Sequence, residues 1–90
     1  MPILQIPSPL RSYTNGLGEV VVKGHTVSEA MLDFVRIYPN LQPHLYDKNG
    51  TLRSYVNLFV NDANVKTLQG LDTPLREGDH LRLIPSIAGG

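Results

Sequence analysis

The sequence predicts an α+β domain, a mixed sheet with one main helix across one face. Three observations carry that prediction. A strand–turn–strand pattern opens the chain, a single amphipathic segment with a capping signal follows it, and strands separated by Asn/Asp and Gly turns fill the remainder. Ninety residues make one domain. A chain of this length buries only about 60–65% of its unfolded surface and leaves little room for an internal cleft.

The first strand is expected at Ile3 to Pro7, where branched residues alternate; Pro7 and Pro9 end it because proline cannot donate to a ladder. Leu10 is expected to return to the core. Thr14 to Gly18 is rich in turn residues, and Glu19 to Lys23, carrying Val20, Val21 and Val22, reads as the second strand of a hairpin. The helix signal comes next. Thr26 and Glu29 have capping-box spacing, suited to satisfying the free amides of a first turn. Val27, Ala30, Met31, Phe34, Val35 and Tyr38 share one face; Ser28, Glu29, Asp33 and Arg36 share the other. Pro39 disfavours helical backbone at Tyr38, so the helix should stop near Ile37.

A short second helix is expected within Leu41 to Asp47, with Leu41 and Leu45 inward, followed by a turn at Lys48 to Gly50. The third strand is expected from Leu52 to Asp62, strongest over Tyr55 to Val60, then an Asn/Asp turn at Asn61 to Asn64. Gly70 to Leu75 suggests a tight helical turn, and Arg76 to Asp79 a reversal at Gly78. His80 to Pro85 is the last strand, with Leu81 and Leu83 on one face and His80, Arg82 and Ile84 on the other.

Composition removes several classes of function. Eight basic and eight acidic residues cancel, and no charge run exceeds two residues, so no footprint for nucleic acid or an anionic membrane is present. With no cysteine, disulfides, thiolate zinc sites and cysteine catalysis are excluded, and no side chain can hold a persulfide. Met1 to Gln5 lacks signal-peptide character and no apolar run spans a bilayer, which makes the cytoplasm the expected compartment. His25, His44 and His80 have no metal-ligand spacing, so no metal is expected. No phosphate-cradling loop or nucleophile elbow occurs, so the chain looks unequipped as an enzyme and is expected to bind no cofactor.

What remains is Ser86 to Gly90, S-I-A-G-G. The expected division is a folded body over residues 1–85 and a diglycine tail over 86–90. Terminal residues commonly fray, and that alone could account for the glycines. The alternative uses glycine's lack of a Cβ: Gly89 and Gly90 could thread a narrow tunnel and bring an α-carboxylate to a partner that activates it.

The order of elements, together with Leu75-x-x-Gly78-Asp79-x-Leu81-x-Leu83-Ile84-Pro85-x-Ile87-Ala88-Gly89-Gly90, resembles the ubiquitin-like sulfur carriers of the ThiS/MoaD type, which have the β-grasp fold. The resemblance spans essentially the whole chain. The Ile6-Pro7 opening, the long segment between helix and third strand, and Val56-Asn57 through Val60-Asn61-Asp62 make it most similar to the branch serving cysteine biosynthesis. The molybdopterin and thiamin branches share the tail.

The resemblance implies a mechanism. An E1-like enzyme using ATP and magnesium adenylates the Gly90 carboxylate, and a sulfur donor displaces AMP to leave a thiocarboxylate. A pyridoxal-phosphate-dependent synthase then presents an aminoacrylate for the sulfur to attack, and a metal-dependent peptidase releases the cysteine. A ubiquitin-like modifier joined to other proteins through Gly90 is the competing reading. Ala88 and Gly89 would thread the activating enzyme. For docking, Phe59 is expected on the open face of the sheet if Val56, Leu58 and Val60 face the helix, with Ile84 near it and Ile87 beyond. Arg11, Arg53, Arg76 and Arg82 are expected to be solvated, with pairing to acidic partner residues as the alternative.

Overall fold

The computed structural model describes residues 1–85; Ser86 to Gly90, and with them the candidate residues Ile87, Ala88, Gly89 and Gly90, lie outside the described residues. Five strands form one mixed sheet: β1 (Ile3–Gln5), β2 (Glu19–Val21), β3 (Val56–Val60), β4 (Ala63–Asn64) and β5 (His80–Pro85), in spatial order β2-β1-β5-β3-β4. β1 and β5 are parallel and every other pairing is antiparallel. The last strand therefore occupies the middle of the sheet, with neighbours on both sides.

Register fixes which residues share a face. Leu4 stands beside Val20 and Leu81, and Leu81 beside Val60, so one row points to the core. The adjacent row, Glu19, Gln5, Arg82, Phe59 and Asn64, crosses all five strands on the open face. Val56, Leu58 and Val60 are buried, as the alternation predicts.

Helix α1 (Val27–Ile37) covers the other face with Val27, Ala30, Met31, Phe34 and Val35 buried. Phe34 is fully buried, and each such apolar side chain contributes roughly 1.5–3 kcal/mol by leaving water. The capping box forms with one change of partner. The Thr26 hydroxyl accepts from the Glu29 amide at 3.2 Å, while the Glu29 carboxylate accepts from the His25 amide at 2.8 Å, one residue before the cap. A neighbouring segment secures this end: the Val27 amide donates to the Thr73 carbonyl and the Leu75 amide to the His25 carbonyl. Pro39 stops α1 at Ile37, and a single 3-10 turn (Pro39–Leu41) leads into the short α2 (Gln42–Leu45), with Leu41 and Leu45 buried.

The structure departs from expectation at three places. Between β1 and β2 the chain forms a seven-residue 3-10 segment, Ser8–Thr14, not a bare turn. Thr14 closes it, its buried hydroxyl donating to the Arg11 and Leu17 carbonyls. β3 begins at Val56 instead of Leu52, because the Val56 amide closes a turn on the Arg53 carbonyl while Leu52 bridges back to Tyr46. The Asn61 turn is tighter than expected: Asn61 adopts positive φ, and Ala63–Asn64 already returns as β4.

Candidate functional site at the end of the central strand

The expected chemistry lies beyond Pro85, so the surface around the end of β5 is the candidate site. Pro85 faces Val56 and Ile84 faces Asn57 across β3. On the parallel side, Gln5 faces Arg82, and the chain then continues through Ile6 and Pro7 into the Ser8–Thr14 segment. Arg11, on that segment, shares one open groove with Pro7, Ser8, Arg82, Leu83 and Ile84.

Phe59 and Ile84 do lie on the same open face. Phe59 sits directly opposite Arg82, and Ile84 is its diagonal neighbour one pair along the ladder. Ile84 is exposed, whereas Phe59 is half-buried instead of standing free. The two form an apolar step with the Arg82 side chain exposed beside it.

Two arginines near this end are held by the backbone. The Arg11 Nε donates to the Ile6 carbonyl at 3.0 Å, and its guanidinium lies over Gly18, where a Cβ would stand 3.2 Å from Cζ. The Arg53 Nε donates to the Pro43 carbonyl at 3.0 Å, fixing it at the turn that feeds Val56. Two acids on neighbouring elements are engaged elsewhere. Glu19 accepts from the Gln5 side-chain Nε2 at 3.3 Å, and Asp47 accepts from the Asn49 and Thr51 backbone amides. Among the described residues the ion pairs are Met1 with Glu77 and Arg36 with Asp33, so neither Arg11, Arg53 nor Arg82 has a carboxylate partner there.

An aromatic ledge adjoins this end. The Tyr13 and His44 rings lie 4.7 Å apart, and the Tyr55 hydroxyl donates to the His44 carbonyl at 3.3 Å. Sequence reasoning missed this cluster. Its members come from three separate segments, and no spacing in the chain brings them together. Tyr46, which bridges to Leu52, has its phenol pushed above its ordinary range by burial.

No group of three or more His, Asp or Glu residues suited to a metal occurs among the described residues. His80 instead shares a hydrogen bond with the Gln5 side chain at 3.3 Å, and His44 makes a tilted ring contact with Tyr13. No helix of the described chain is long and apolar enough to cross a membrane.

A protein-family model described as the ThiS family matches residues 4–90, nearly the whole chain and both closing glycines. The chain belongs to the ThiS family. Among curated relatives, this ThiS-family chain is 34% identical to the sulfur carrier protein CysO of Mycobacterium tuberculosis over 89 residues, covering 97% of this chain and 96% of that protein. Among solved structures it matches a chain of the Amycolatopsis orientalis BexX/CysO complex, with a TM-score of 0.87, 32% identity and full coverage of both chains. It also matches the small archaeal modifier protein 1 of Methanosarcina acetivorans, with a TM-score of 0.89, 25% identity and coverage of 99% of this chain and 95% of that one. The architecture is thus the ubiquitin-like β-grasp, as the order of elements implied.

Proposed function

We propose that this protein is a sulfur carrier whose working group is the carboxylate of Gly90. The observation that carries the reading is the near full-length relationship to a curated sulfur carrier protein, within a family match that extends through Gly89 and Gly90. The composition agrees with it: the sequence has no cysteine thiol to hold sulfur, which is compatible with a carboxylate at Gly90 as the carrying group.

In this reading an E1-like partner transfers AMP from ATP-magnesium to the Gly90 carboxylate, releasing pyrophosphate. A sulfur donor then displaces AMP and leaves the thiocarboxylate. A carboxylate is a poor electrophile until so activated, and the partner's cationic groups stabilise the charge that develops. The folded body, residues 1–85, acts as a handle, with Phe59 and Ile84 as apolar anchors and Ile87, Ala88 and Gly89 as the thread. Relationship to CysO supports cysteine biosynthesis as the destination. There a pyridoxal-phosphate synthase provides the acceptor, a metal-dependent peptidase releases the product, and the carrier works in the cytoplasm as a substrate of its partners.

Intact-mass analysis of the protein made together with its activating enzyme and a sulfur source tests this. The expected result is one oxygen replaced by sulfur, located to Gly90 by fragmentation. Unmodified protein in the presence of an active enzyme and donor overturns it.

The match to an archaeal modifier protein supports a second reading, conjugation of Gly90 to lysines of other proteins. Conjugates of high mass carrying a glycine remnant on lysine would favour it, and their absence from cells would reject it.

A further inference from the structure

We propose that Arg11, Arg82 and Arg53 form a cationic rim around the end of β5 that recognises an acidic face on the activating protein. The inference rests on the carrier reading above and names what its partner must present. Three features support it.

The first is placement. Arg11 and Arg82 line the groove that also contains Ile84, and Arg53 holds the turn on Val56, the residue opposite Pro85. Arg11 and Arg82 thus flank the last residues of β5, while Arg53 stands on the adjoining turn, its side chain lining a separate groove with Pro43 and Asp47.

The second is unspent charge. None has a carboxylate partner among the described residues. Arg82 also lines a groove with Asp62 without pairing to it. Of the remaining arginines, Arg36 is paired with Asp33, and Arg76, whose guanidinium likewise has no carboxylate partner among the described residues, stands in the turn at the start of β5, away from this end.

The third is preorganisation. Arg11 and Arg53 each spend Nε on a backbone carbonyl. That fixes the guanidinium plane, and for Arg11 it lays the fork over Gly18 beside the groove that contains Ile84. A fork held this way loses less freedom on meeting a carboxylate than a free lysine does. Arg82 opposite Phe59, and Arg11 in the groove with Ile84, also match the anatomy of a protein interface, in which a small apolar centre is bordered by charge that sets orientation and encounter rate.

The test is carrier-dependent ATP–pyrophosphate exchange by the purified E1-like enzyme, measured for wild type, R11E, R82E, R53E and the R11E/R82E double variant over a range of ionic strength. Thermal unfolding of each variant checks the fold. The KM for the carrier is expected to rise about tenfold for each reversal at low salt, with kcat held, and the double variant should lose most of the salt dependence. Lysine replacements at Arg11 and Arg82 should recover most of the affinity, and K66E, far from the rim, should behave as wild type. An unchanged carrier KM in folded R11E/R82E overturns the inference alone. A shift in the KM for ATP in place of that for the carrier also overturns it, since the rim would then serve a phosphate. No exchange with wild type overturns the carrier reading and this inference with it.

Discussion

Gly24 runs so close over the start of α1 that a Cβ on it would lie 2.6 Å from the backbone nitrogen of Ala30. The contact is with backbone, so nothing nearby can swing aside. Gly24→Ala should force β2 and α1 apart and destabilise the protein by about 2–4 kcal/mol. Urea unfolding monitored by circular dichroism measures it; a loss below roughly 0.5 kcal/mol would mean that this crossing relaxes freely.

Thr26 bears the cap of the only long helix among the described residues. Thr26→Ala removes the acceptor for the Glu29 amide and should cost about 1 kcal/mol. Because the Glu29 carboxylate serves the His25 amide in the same turn, the Thr26→Ala/Glu29→Ala pair should deviate from additivity in a double-mutant cycle.

Asp33 gives stability an acid dependence. The Lys23 amide donates to one carboxylate oxygen at 2.9 Å, and Arg36 donates to the other at 2.7 and 3.1 Å. The amide first, and the guanidinium second, hold the carboxyl below its ordinary range. A carboxyl lowered on folding adds stability that is fully present above its unfolded value, about 3.9. That contribution is lost as pH falls through the lower folded value. Urea midpoints recorded from pH 6 to pH 2 should therefore decline less steeply in Asp33→Asn than in wild type, and parallel curves would refute the assignment.

Phe59 and Ile84 separate stability from docking. Ile84→Ser alters an exposed residue and should leave unfolding nearly unchanged, whereas half-buried Phe59→Ala should cost about 1–2 kcal/mol. Both should raise the carrier KM in the exchange assay by about tenfold if the apolar step is an anchor. A fall in kcat without a change in KM would remove these residues from the docking surface.

Deleting Gly90, or adding one residue after it, should abolish thiocarboxylation while leaving the melting temperature within experimental error, since such tails bury little surface. Activity that survives either change would leave a plain interaction module as the better description.

Much of this architecture is legible in the chain because single residues dictate it. Thr26 and Pro39 mark the two ends of α1, and alternation along Val56 to Val60 and His80 to Ile84 assigns both faces of the sheet correctly. The missed parts depend on contacts between distant segments. Leu52 carries the composition of a strand, but it pairs with Tyr46. Ser8 to Thr14 shows no helical period, and it coils because Thr14 and Arg11 find backbone carbonyls there. The candidate site divides the same way. Its apolar pair follows from strand alternation, while the pinned arginines and the Tyr13–His44–Tyr55 ledge arise only when three loops meet.

The parallel pairing of β1 with β5 has a mechanical consequence. Ile3 lies beside His80 and Gln5 beside Arg82, so Met1 and Pro85 leave the sheet at opposite ends of adjacent strands. Tension applied between the two termini loads this ladder in shear, and its hydrogen bonds must fail together instead of peeling one at a time. β5 is also clamped by β3 along its whole length. A partner tugging on whatever follows Pro85 thus grips the strand hardest to extract, and the domain should withstand being pulled by the end through which it is proposed to work.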